Sequence, residues 1–252
     1  MFRLMKYNLE SFFPGYFALV MATGALSIGS FLLGKEILSS VLLYINVLAY
    51  IILWIISLLR LCFYPRRFLD DLTSHMRGPG FFTYVAGTSV FGSQLIIVAD
   101  LHALAFYLWV LAIILWVIIM YTFFFAVTVR KDKPTLSEGI NGAWLIAAVA
   151  TQSVSILGTL LIPYIEQGQQ VVLFFTLCMY FLGCMLYLNI ITLIFYRFTF
   201  LGLKYSALSP PYWVNMGAVA ITTLAGSLLI LHSKYWSLLT EITPFLKGFT
   251  LF

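Results

Sequence analysis

At 252 residues, 62% hydrophobic and only 9% charged, the chain carries more apolar side chain than one soluble core could cover, which excludes an ordinary soluble domain. The net charge of +5 comes without a basic stripe interleaved with aromatics on a soluble face, so a nucleic-acid partner is excluded too. What remains is an integral membrane protein whose partner is the lipid bilayer.

Seven apolar segments, at 12–33, 38–63, 79–98, 103–129, 139–162, 169–196 and 210–231, are each long enough to cross a hydrocarbon layer of about 30 Å as a helix. The runs are continuous and lack a period of two, which argues against a β-barrel. The expected fold is therefore all-α, a single transmembrane domain over residues 1–252. The first segment follows a basic start but runs some twenty apolar residues and is followed by further spans, so it reads as an uncleaved first helix.

The odd and even segments differ in kind. Twenty-residue windows from Pro14, Pro79, Asn141 and Pro211 hold 28 Gly, Ala or Ser in 80 positions, whereas windows from Val41, Leu104 and Phe174 hold 5 in 60. Small side chains let helix backbones approach closely in lipid, and bulky ones suit a lipid-facing surface. The odd spans are expected inside as a ring and the even spans outside.

Each odd span opens on a chain breaker followed by aromatics: Pro14-Gly15-Tyr16-Phe17, Pro79-Gly80-Phe81-Phe82, Asn141-Gly142-Ala143-Trp144 and Pro210-Pro211-Tyr212-Trp213. The pattern marks a repeat of helical hairpins, at about 12–63, 79–129, 139–196 and an incomplete 210–252. Phe17, Phe82, Trp144 and Trp213 have two readings, an interfacial aromatic belt or the ends of pore-lining helices.

Basic residues set the orientation. The N-terminus and the loops after the even spans hold eleven Lys or Arg, against Lys35 and Lys234 in the opposite loops, so the N-terminus is expected in the cytoplasm of a multi-pass plasma-membrane protein. Four helix N-termini then share the cytoplasmic face with Arg77, Arg130, Lys131 and Lys204, an arrangement expected to attract anions; the same charges also serve as topology signals. Asp70 and Asp71 follow Arg66 and Arg67 by one helical turn and read as a solvated ion-pair cluster.

No Asp, Glu, Lys or Arg falls in the middle of a span, which disfavours a proton relay or an ion-coupling site. Neutral polar residues do occur there, among them Asn46, Thr88, Gln94, Thr151, Gln152, Asn189, Asn215, Thr222 and Thr223, and are read first as interhelical hydrogen-bond partners. His75, His102 and His232 sit at no metal or triad spacing, and Cys62, Cys178 and Cys184 lie in or at even spans. No enzyme, metal, disulfide or other cofactor is expected.

The span-opening motifs, above all Pro14 to Gly29 and the run Pro210-Pro211-Tyr212-Trp213-Val214-Asn215-Met216-Gly217-Ala218, resemble the tellurite-resistance/dicarboxylate transporter family, with plant slow anion channels and yeast malate and sulfite transporters as relatives. The resemblance implies five hairpins per subunit around a central pore, a homotrimer, and a small anion as substrate: a dicarboxylate, a tellurite-type oxyanion or an inorganic anion. Carried over by position, the lining falls on Pro14, Phe17, Met21, Gly24, Phe82, Gly87, Trp144, Gln152, Pro211, Trp213, Asn215, Met216 and Gly217. Against that plan the chain supplies seven complete spans and the start of an eighth, so it reads as truncated at its C-terminus. A truncated or structural membrane protein without independent transport is the competing reading.

Overall fold

The computed structural model describes residues 9–202 and 210–251. Among the described residues, seven helices are long and apolar enough to cross a membrane: span 1 (Pro14–Leu32), span 2 (Glu36–Phe63), span 3 (Gly78–Ala99), span 4 (His102–Val129), span 5 (Gly142–Tyr164), span 6 (Gln169–Phe200) and span 7 (Pro210–Leu231). Short helices at Pro65–Leu72, Leu136–Gly139, Ser237–Glu241 and Thr243–Leu251 complete the described elements together with a 3-10 turn at Ser233–Tyr235. The protein is an all-α, multi-pass membrane protein.

Short links join spans 1 and 2, 3 and 4, and 5 and 6, and each contains a left-handed residue: Gly34 (φ 71°), Asp100 (φ 56°) and Gly168 (φ 81°). Gly34 ends span 1 with Lys35 N–H bonded to the Ser30 carbonyl, a closure that favours glycine because a Cβ is strained there. The three links therefore share a left-handed residue.

Spans 1, 3, 5 and 7 pack in chain order, span 3 against spans 1 and 5, and span 5 against spans 3 and 7. Spans 2, 4 and 6 lie against spans 1, 3 and 5 respectively. Spans 3 and 5 are the interior, with 83% and 94% of their central windows buried, against 22–39% for the even spans. Spans 1 and 7, at 28% and 22%, are as open as the even spans. The interior is thus a pair of spans, and each flanking odd span turns one face outward.

Hydrogen bonds hold odd to even spans. Asn46 Nδ2 donates to Gln94 Oε1 at 2.7 Å, and the Tyr50 and Ser57 hydroxyls meet Thr88 Oγ1 and the Tyr84 hydroxyl at 3.1 and 2.9 Å. Trp116 Nε1 donates to Thr151 Oγ1 at 2.8 Å, Trp109 Nε1 to the Val154 carbonyl at 3.0 Å, and Ser155 Oγ to the Thr176 carbonyl at 2.7 Å. In lipid, packing and such bonds replace the hydrophobic force as the source of helix association. The polar residues at 46, 88, 94, 151 and 152 do bond between helices, whereas Thr222 and Thr223 return their hydroxyls to the carbonyls of Ala218 and Val219 in their own span.

Candidate functional site

The four motifs that open the odd spans all fold as 3-10 turns, at Pro14–Phe17, Gly78–Phe81, Gly142–Leu145 and Pro210–Trp213, before the chain relaxes into α-helix. Proline suits a first turn because its missing N–H would have no partner there. The turns touch one another in chain order and form a row at one end of the bundle. Glycine makes this possible: a Cβ on Gly142 would lie 2.5 Å from the Pro211 carbonyl carbon and oxygen and from Tyr212 Cα. One on Gly80 would lie 3.0 Å from Gly15 N.

Side chains tie the row together. Thr83 Oγ1 donates to the Pro14 carbonyl at 3.1 Å, and Trp144 Nε1 lies 3.1 Å from both the His75 and Gly139 carbonyls. Arg77 Nη2 donates to the Ser11 and Phe12 carbonyls, each at 3.1 Å. Arginines from the last turns of the outer spans reach in from the side. Arg60 of span 2, 2% exposed, donates to the Glu10 carbonyl and to Asp71 Oδ2. Arg197 of span 6, 7% exposed, donates to the Ile140 carbonyl and the Tyr212 hydroxyl. Each arginine thereby grips the approach to its own hairpin and the link to the next.

This geometry corrects the reading of the acidic pair. Asp71 turns inward to Arg60 and to Arg77, whose Nε lies 3.3 Å from Asp71 Oδ2, while Arg67 pairs with Glu10 at 3.2 Å. The chain breaks at Tyr64 (φ −132°, ψ 51°), which redirects the helix Pro65–Leu72 and sets Asp71 under the end of span 2. Arg60 and Arg197 carried little signal in the sequence beyond their place one turn before the end of an outer span. Arg60, counted there among the loop cations, is almost wholly buried.

The residues expected along the pathway fall into two groups. Phe17 is fully buried and stacks on Tyr84 at 4.2 Å, with Tyr50 and Trp54 edge-on, so it wedges between spans 1, 2 and 3. Gly24 faces Asn46 and Val90, and Gly87 faces Phe17, both at helix contacts. Phe82 and Trp144 meet Phe123 and Phe124 of span 4. Gln152 Nε2 donates to the Tyr180 carbonyl at 3.1 Å, and Pro14 is buried in the row of first turns. Met21 and Pro211 are half-buried. Trp213, Asn215, Met216 and Gly217 form the second group, on an open face of span 7; Trp213 is 77% exposed, and Tyr187 of span 6 donates to Asn215 Oδ1 at 3.0 Å.

Of the four expected cations, Arg77 spends its guanidinium on Asp71 and two carbonyls. Arg130 and Lys131 are exposed just after span 4 and have no ion pair among the described residues. Lys204 lies outside the described residues. His75, in the link before span 3, titrates below the usual histidine range because burial disfavours its charged form, and the Arg130 and Lys133 cations add to the effect. Among the described residues no group of three His, Cys, Asp or Glu could hold a metal ion.

A family model described as SLAC1, voltage-dependent anion channel, matches residues 11–248. Two uncharacterized transporters of Methanocaldococcus jannaschii are similar to the chain. One is 24% identical over 230 residues, covering 88% of this chain and 66% of its own length. The other is 26% identical over 226 residues, covering 86% of this chain and 64% of its own. The chain thus spans just under two thirds of the length of these relatives. No solved structure matches it.

Proposed function

The chain belongs to the SLAC1 family of voltage-dependent anion channels, which takes in the tellurite-resistance/dicarboxylate transporters, and from that premise we propose that it moves small anions across a membrane along spans 1, 3, 5 and 7. The observation that carries the reading is the row of four first turns. Each turns the partially positive end of its helix toward the same end of the bundle, which favours an anion at that end. No ionised side chain lies in the middle of a span, so a permeating anion meets neutral groups and is held weakly, as conduction requires. Chloride, nitrate, dicarboxylates and tellurite all fit this chemistry.

In this proposal the lining includes the open faces of spans 1 and 7, where Ala18, Ala22, Ala25, Met216, Gly217 and Ala220 carry small or flexible side chains. The basic end faces the cytoplasm, with Lys131, exposed and in no ion pair among the described residues, as a cation beside the row, and the assembly is a homotrimer, as the family resemblance implies. Arg77 belongs to the scaffold of the row rather than to its field. The test is thiol block in a background with Cys62 and Cys178 replaced by serine. Ala22→Cys and Gly217→Cys are expected to lose anion flux on treatment with a negatively charged methanethiosulfonate, while a cysteine at Ile51 on the open face of span 2 is not. Equal insensitivity at all three positions would refute the lining.

A further inference from the structure

A second surface lies outside the anion reading. Where the helix Pro65–Leu72 meets the end of span 4, a groove of about 950 Å³ is lined by Asp70, Thr73, Tyr121, Thr122, Phe125, Ala126, Val129 and Arg130. Its wall on span 4 is a stripe in which Tyr121, Phe125 and Val129 recur every four residues and are 70%, 69% and 60% exposed. Thr122 and Ala126 form a shallow floor beside that stripe. From Tyr121 to Arg130 the helix rises about 13.5 Å, close to the depth of one leaflet of a hydrocarbon layer about 30 Å thick. An acyl chain fits that depth and that apolar lining.

The rim has a charge pattern that selects among lipids. Asp70 and Arg130 line the same groove, both are exposed, and neither is in an ion pair among the described residues, with each other or with anything else. Asp71, the adjacent residue, is already committed to Arg60 and Arg77, so Asp70 is the carboxylate left facing the groove. A free guanidinium suits a phosphate, and a free carboxylate suits a cation that can donate hydrogen bonds. We propose that this groove binds a zwitterionic aminophospholipid, phosphatidylethanolamine, with its phosphate on Arg130, its primary ammonium on Asp70 and an acyl chain along Tyr121, Phe125 and Val129. Phosphatidylglycerol would place no cation against Asp70, and the quaternary ammonium of phosphatidylcholine has no N–H to donate. The groove lies on the outer surface of span 4, so the site acts independently of the anion pathway.

The test is lipid retention by the purified full chain, measured by native mass spectrometry after release from bilayers of equal phosphatidylethanolamine and phosphatidylglycerol. The wild type is expected to retain phosphatidylethanolamine over phosphatidylglycerol by about fivefold, the worth of one near-surface charge contact. Asp70→Asn should erase the preference while lipid is still retained, Arg130→Gln should lower retention of both lipids, and Ala126→Trp should fill the groove and abolish retention. Asp70 is exposed, so its variant carries the test even where Ala126→Trp fails to fold. Retention in the bulk ratio by the wild type, or a preference unchanged in Asp70→Asn, would overturn the proposal. A change in oligomeric state in Ala126→Trp with lipid retention intact would overturn it as well, by making the groove a contact between copies.

Discussion

Replacing Asp71 with asparagine removes the carboxylate that joins Arg60 to Arg77 beneath the row of first turns. Arg60 is 2% exposed, so the substitution leaves a buried guanidinium without its counter-charge, facing only neutral acceptors such as the Glu10 carbonyl, and its Nη1 has no partner even in the native protein. Breaking a buried pair from one side costs about 3–5 kcal/mol. Asp71 is 14% exposed and the Glu10 carbonyl stays in place, which puts the expected loss below that range, at about 2–3 kcal/mol. Removing Arg60 instead, as Arg60→Met, leaves Asp71 with Arg77 at 3.3 Å and should cost less. The double variant should be more stable than the sum of the two singles by at least about 1 kcal/mol, because the stranded charge is gone. The assay is reversible unfolding in mixed SDS micelles of the wild type, both singles and the double. A loss below about 0.5 kcal/mol for Asp71→Asn, or a coupling within about 0.5 kcal/mol of zero, would show that the arginine is not held by this pair.

Three further outcomes follow from the same contacts. Gly142→Ala should destabilise by about 1–3 kcal/mol, because its Cβ would meet the Pro211 backbone at 2.5 Å; Gly80→Ala should cost less, and Gly217→Ala, with nothing within 4 Å, should be neutral in the same unfolding assay. Asn46→Leu strips Gln94 Oε1 of its hydrogen bond and should cost about 1 kcal/mol, with Asn46→Leu/Gln94→Leu recovering part of it; a single variant as stable as the wild type would count against the bond. His75 titrates in the native state below its usual 6.5, so the unfolded state takes up its proton first as pH falls through that value. Stability should therefore drop between about pH 7 and pH 5, and His75→Gln should flatten that part of the melting-temperature profile; an unchanged profile would refute the assignment.

The spans were legible because the apolar runs are long and continuous. The buried position of spans 3 and 5 follows from their small-residue content, since Gly, Ala and Ser are what a helix packed on several sides can carry. Spans 1 and 7 have the same composition yet stay open, because composition states what a helix can pack against and not which of its faces described neighbours cover. The breakers at 14–15, 79–80, 141–142 and 210–211 announced first turns but not 3-10 geometry. Three residues per turn rotate the following side chains relative to an α-helix, and Phe82 and Trp144 end up against span 4. Charge was the least legible feature. Sequence spacing offered Asp71 the arginines one turn before it, whereas the break at Tyr64 gave it Arg60 and Arg77.

The central claim, that the row of first turns serves an anion pathway, is tested most directly by flux. The purified chain and a version extended by the third of a relative that it does not cover would be reconstituted in liposomes, and chloride, nitrate, malate and tellurite efflux recorded under an imposed potential. Anion flux that cations do not share is expected from at least the extended version, with a loss of that flux when Gly217→Cys is modified by an anionic thiol reagent. Folded protein that passes no anion in either form, or passes cations equally well, would contradict the claim and leave the bundle a structural membrane component.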